Sequence, residues 1–155
     1  VGKKETFINY NMFMATDYRK CPLAVWATKN FANPDCVRWE LHRTWVIDAR
    51  LKPGFRHIYP RRTMYFDEDN LGAGTGEYYD AAGTIYRFTN ITTLPLPGGE
   101  FGSIAENTYT TDLQTGTWAA NGVLGIKGGS SWALGVKPFD PNIFSPEALA
   151  GEGIR

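Results

Sequence analysis

The sequence predicts a mainly β fold, a strongly curved antiparallel meander of about six strands with one or two short helices. Three observations carry this. Helical periodicity is scarce, whereas from residue 38 onward apolar and polar residues alternate in runs rich in β-branched and aromatic side chains, the pattern of half-buried strands. Turn-forming clusters of Gly, Pro, Asn and Asp separate these runs at short intervals. Three glycines at alternate positions, Gly72, Gly74 and Gly76, clear side chains from one side of a strand, which lets the sheet curl or another element approach.

The strands follow in order. Thr6 to Tyr10 reads as a short one. From Thr44 to Leu51, Trp45, Ile47, Ala49 and Leu51 share a face opposite Thr44, Asp48 and Arg50. Lys52-Pro53-Gly54-Phe55 then has the residue order of a type II turn. The return strand runs through His57 to Asp67, with Pro60 confining its first half to an edge or bulge. Arg62, Met64 and Phe66 share one of its faces. Leu71 to Tyr79, the turn Asp80-Ala81-Ala82-Gly83, and Thr84 to Thr92 form the next hairpin, with Tyr86 and Phe88 expected on one face. A stiff Pro/Gly connector follows, and Ser103 to Leu113 and Thr117 to Leu124 make another hairpin. Asn33-Pro34-Asp35 could open a brief helical turn, and Ser145-Pro146-Glu147 has the signature of a helix start. The expected division is a sheet domain over 1–125 and an extended Gly/Pro-rich tail with a short helix over 126–155.

Composition narrows the function. The chain has 155 residues, 43% hydrophobic and 14% aromatic, enough for a packed core in one domain. Sixteen basic and sixteen acidic residues cancel, so no long-range field draws in nucleic acid or an anionic membrane. The longest apolar runs, such as Leu23 to Ala27, fall far short of the roughly 20 residues of a spanning helix. The chain begins at Val1, consistent with a removed leader or with a piece of a longer polypeptide.

No catalytic pattern stands out. There is no GxSxG, and the two histidines, His42 and His57, have no evident nucleophile arrangement. Cys21 and Cys36 with the histidines lack tight metal-ligand spacing, and the two thiols read equally as free buried cysteines or one disulfide. The acidic run Asp67-Glu68-Asp69-Asn70 lacks the glycine and closing glutamate of a calcium loop and is expected to be a solvated hairpin turn. Gly72-Ala73-Gly74-Thr75-Gly76 is not followed by a helix, so a dinucleotide loop fails on context. The expectation is a protein with no catalytic residues, no cofactor and no metal. A curved sheet has a concave face that holds an apolar ligand if nothing fills it. The residues expected to line it are Trp45, Ile47, Met64, Phe66, Tyr86 and Phe88.

The run from Asn33 to Gly54, NPDCVRWELHRTWVIDARLKPG, closely resembles a pattern of the LolB-like proteins grouped as domain of unknown function 1329. The likeness continues through Arg56-His57-Ile58-Tyr59, Asp67-Glu68-Asp69, Asp112-Leu113-Gln114-Thr115-Gly116 and Phe144 to Leu149, covering nearly the whole chain. The resemblance implies a half-barrel like the lipoprotein carriers LolA and LolB, and the C-terminal portion of a longer protein. It implies a periplasmic or outer-membrane-associated location in bacteria and no established enzyme activity. A lipid or other hydrophobic small molecule is the implied ligand. Envelope transporters of the resistance-nodulation-division type, with an outer-membrane protein, are the implied partners. The alternative is a structural subunit whose open sheet packs against another chain or a missing N-terminal part. The implied oxidising compartment favours a Cys21–Cys36 disulfide.

Overall fold

The computed structural model describes residues 1–11, 17, 19–95, 103–122 and 140–152. Seven strands form one antiparallel sheet in chain order: β1 (Gly2–Asn9), β2 (Trp39–Arg50), β3 (Arg61–Asp67), β4 (Ala73–Tyr79), β5 (Ile85–Pro95), β6 (Ser103–Asp112) and β7 (Thr117–Asn121). Each strand pairs with the next, as expected of a meander, and the sheet does not close: β1 and β7 are its edges. The architecture is a curved half-barrel.

The turns are those the residues dictate. Phe55 N–H donates to Lys52 O at 3.3 Å and Gly54 takes φ +85°, the left-handed position of the type II turn. Gly83 (φ +81°) closes the Asp80–Gly83 turn through a 3.0 Å bond to Asp80 O. Pro60 precedes β3, which starts only at Arg61, because proline cannot donate to a ladder. The linker from β1 to β2 holds helix α1 (Leu23–Trp26) and a 3-10 turn (Pro34–Cys36) started by Asn33, whose side chain accepts from Asp35 N–H. A second short helix, α2 (Pro146–Glu152), begins after Ser145, whose Oγ accepts from Ala148 N–H at 3.1 Å. The expected boundary between residues 125 and 126 lies outside the described residues.

Register assigns the faces. Val46, Tyr65, Thr75, Asn90, Tyr109 and Ala120 align across β2 to β7 and share a face, as do Asp48, Thr63, Glu77, Phe88, Thr111 and Trp118 beside them. The sheet curls toward this face. Tyr109 of β6 reaches across to β1, its hydroxyl donating to Asn9 Oδ1 at 2.6 Å with both residues buried. Ile8 of β1 sits against Gly74 of β4 so closely that a Cβ there would lie 2.5 Å from Ile8 Cγ2. Gly74 thus provides the close approach that a glycine-bearing strand suggests. The other two glycines act differently: Gly72 lies outside β4, and Gly76 is covered by its own neighbour Tyr78.

The concave face is unusually polar. Thr44, Thr63, Asp67, Thr75, Asn90 and Thr92 are all buried. Two of the threonines find partners inside the sheet: Thr44 Oγ1 donates to Lys4 O at 3.0 Å, and Thr92 Oγ1 donates to Asn107 O at 3.2 Å. The apolar core is a compact cluster of Cys21, Trp26, Ala32, Cys36 and Tyr109, with Trp118 and Ala120 against it.

Candidate functional site

That core cluster places the β1–β2 linker as a roof over β6 and β7. Cys21 and Cys36 form a disulfide, with Cα atoms 5.7 Å apart. Trp26 packs edge-on against Trp118 at 5.2 Å and Tyr109 at 6.1 Å, using the edge-to-face geometry aromatic rings favour. Trp118 Nε1 donates to Thr28 O at 2.8 Å. Inside the disulfide loop, Asn33 N–H donates to Trp26 O at 2.8 Å, and Ala27 bridges Ala32. The loop is therefore fastened to itself and to the sheet.

Between this roof and the concave face lies a cleft of about 460 Å³. Asn30, Phe31, Ala32 and Pro34 line it from the roof, and Trp39 lines it from the start of β2. Phe88 and Asn90 of β5 and Tyr109 and Thr111 of β6 form its floor. Asp112, Leu113 and Gly116 at the β6–β7 turn complete it. The walls are mostly apolar, with few polar groups, the make-up of a small-ligand site. Asn90 is buried and its Oδ1 has no hydrogen-bond partner among the described residues.

Among the described residues, Tyr109 and Asp112 are the titratable groups that line the cleft. Burial pushes the Tyr109 phenol far above its usual range, which keeps it protonated. The Thr115 backbone N–H is the main group holding the Asp112 carboxyl below its usual value, against a smaller opposing effect of burial. Asp112 Oδ1 accepts from Thr115 N–H at 2.9 Å and Gln114 N–H at 3.1 Å, while Oδ2 accepts from Arg87 Nε at 3.3 Å. Asp112 is thus committed to its turn.

Of the six residues expected to line the concavity, the structure brings only Phe88 to the cleft. Trp45 pairs with Phe66 and Ile47 with Met64, so these four do share a face, but it is the convex one. They continue a stripe that begins at the directly paired Phe7 and Leu41, 59% and 57% exposed. Tyr86 is displaced by the irregularity at Tyr78/Tyr79 and packs instead on Tyr59 at 5.7 Å, with the Arg87 guanidinium 5.0 Å over its ring. The roof residues Phe31, Ala32 and Pro34 have no strand periodicity; their nearest sequence signal is their position between two cysteines.

The acidic turn is likewise not simply solvated. Asp67 is 1% exposed, and Glu68 pairs with Lys3 and Arg43.

The model of the DUF1329 family, described as a protein of unknown function, matches residues 1–150. The chain belongs to this family. An uncharacterized protein of Pseudomonas aeruginosa, PA3922, is 34% identical over 99% of the chain. The chain spans 33% of that relative's length. Two crystal structures are similar at 14% identity, each over 70% of the chain. One is a DUF1329 family protein from Desulfovibrio piger, covered over 41% of its length with a TM-score of 0.41. The other is a putative outer membrane lipoprotein-sorting protein domain from Vibrio parahaemolyticus, covered over 42% with a TM-score of 0.42. No helix among the described residues is long and apolar enough to cross a membrane.

Proposed function

We propose that the cleft between the disulfide loop and the concave face binds a lipid chain or other hydrophobic small molecule, in a non-enzymatic binding or carrier role. The observation that carries this is the cleft itself. It is an open, mostly apolar space of about 460 Å³ on the inner side of a half-barrel, inside the range of about 300–1,000 Å³ typical of small-ligand sites. The orphan amide oxygen of Asn90 on its floor supports a ligand that brings a donor group, such as a hydroxyl, beside its apolar body. The disulfide supports a periplasmic location, because such bonds persist in oxidising compartments. An envelope transporter is the proposed partner in that setting. Native mass spectrometry of the chain, produced in a bacterial periplasm and sprayed without organic extraction, tests the reading. A co-purified apolar adduct that dissociates on activation is expected, and a chain that stays bare even after incubation with lipid extract would contradict it.

A second reading rests on the convex stripe. The exposed Phe7 and Leu41 and the half-buried Trp45, Phe66, Ile47 and Met64 form one apolar stripe along the convex face. It is the surface against which the additional polypeptide of a longer relative would pack, since the chain spans a third of PA3922.

A further inference from the structure

Away from the cleft, where β2 meets the β3–β4 turn, a second group of side chains converges on the same concave face. His42 Nδ1 lies 3.0 Å from Asp67 Oδ1 and 4.0 Å from Asp69 Oδ2. One donor atom from each of the three residues lies within 4.8 Å of the others. His42 Nε2 lies 3.3 Å from Glu40 Oε2, and Glu40 is itself fixed by Asn11 Nδ2 at 2.7 Å and Arg38 Nε at 2.7 Å.

An ordinary ion pair between a protonated His42 and Asp67 accounts for only half of this. Asp67 Oδ1 is served by His42 and by Asp69 N–H at 3.3 Å. Its second oxygen, Oδ2, is buried with no hydrogen-bond partner among the described residues. A bare carboxylate oxygen in the interior is costly, and such atoms are rare unless something binds them. A cation held by both oxygens of the Asp67 carboxylate would satisfy it while keeping Oδ1 beside His42.

We propose that His42, Asp67 and Asp69 bind a first-row divalent transition-metal ion of the Zn²⁺ type, with Glu40 positioning the imidazole. Ligand atoms about 2.0–2.2 Å from such an ion sit about 3–3.5 Å apart, which the His42–Asp67 pair already meets. Asp69, with its side chain 81% exposed, is free to close the remaining gap. The Glu40–His42 contact reproduces the carboxylate–histidine–metal arrangement in which the outer nitrogen donates to a carboxylate and orients the ring. An imidazole among carboxylates selects Zn²⁺-like ions over Ca²⁺, which prefers an all-oxygen shell. Three protein ligands leave a fourth position for water. The ion would tie β2 to the β3–β4 turn.

The test is calorimetric titration of untagged chain with ZnCl₂, repeated with CaCl₂. Cys21 and Cys36 are joined in the disulfide and cannot compete. One Zn²⁺ per chain is expected, with no saturable Ca²⁺ binding. His42→Ala and Asp69→Asn should each weaken Zn²⁺ by about ten-fold or more, while His57→Ala leaves it unchanged. Circular dichroism checks the fold of each variant. Should His42→Ala unfold, the exposed Asp69→Asn decides alone. Absence of saturable Zn²⁺ binding, affinity unaltered in Asp69→Asn, or loss confined to His57→Ala would each overturn the proposal.

Discussion

Reduction of the Cys21–Cys36 disulfide should both destabilise the chain and open the cleft. The bridge spans a sequence separation of 15 residues. Closing a loop of that length removes about 3 kcal/mol of chain entropy from the unfolded state. For a chain of this size, each kcal/mol moves the melting temperature by about 2–4 °C, so the reduced form should melt about 6–12 °C lower. Thermal unfolding followed by far-ultraviolet circular dichroism, with and without a phosphine reductant and in the Cys21→Ser/Cys36→Ser double variant, reads the shift. The spectrum before melting should keep its β character, since neither cysteine lies in the sheet. Affinity for an apolar probe should fall in parallel, because Phe31, Ala32 and Pro34 line the cleft from inside the bridged loop. A shift below about 2 °C would refute the entropic reasoning. A normal shift with unchanged probe affinity would show that the loop does not form the site.

Tyr109→Phe should cost about 1–3 kcal/mol in urea unfolding, because it strands the buried Asn9 Oδ1 that its hydroxyl now serves; a cost below about 0.5 kcal/mol would discount this cross-sheet bond. Alkaline pH provides an independent check on the same residue. Burial raises the folded-state pKa of Tyr109 above its unfolded value near 10, so its contribution is complete below that pH and is lost as pH rises toward the folded value. Stability should therefore fall by about 1.4 kcal/mol per pH unit in that window for this group, and Tyr109→Phe should flatten the slope. An identical slope in the variant would assign the effect elsewhere. Gly74→Ala should destabilise by about 1–3 kcal/mol, since the new Cβ meets the buried Ile8. Gly2→Ala, which meets nothing within 4 Å, is its control.

The strands were legible because pleat alternation is local. Trp45, Ile47 and Ala49 against Thr44, Asp48 and Arg50 announce β2 without any tertiary information. The same alternation separates two faces without saying which turns inward. Apolar Trp45 and Ile47 suggested the inner side, yet the fold curls toward Thr44 and leaves them on the convex face. Curvature depends on where β1 meets β4, that is on Ile8 against Gly74, a contact distant in sequence. Irregularities at Tyr65/Phe66, Tyr78/Tyr79 and Thr92/Thr93 shift the register, and the second of them separates Tyr86 from Phe88. The roof carries the weakest sequence signal. Its residues follow no period, and only the disulfide, itself implied by family resemblance, hinted that this segment is fixed in place.

Binding of a fluorescent long-chain fatty acid tests the central claim most directly, measured for the unaltered chain, Phe88→Glu in the cleft and Ile47→Glu on the convex face. All three should remain folded by circular dichroism. The account predicts saturable binding at one site, abolished by Phe88→Glu and preserved by Ile47→Glu. Absence of binding in the unaltered chain, or binding lost through Ile47→Glu and retained in Phe88→Glu, would contradict it.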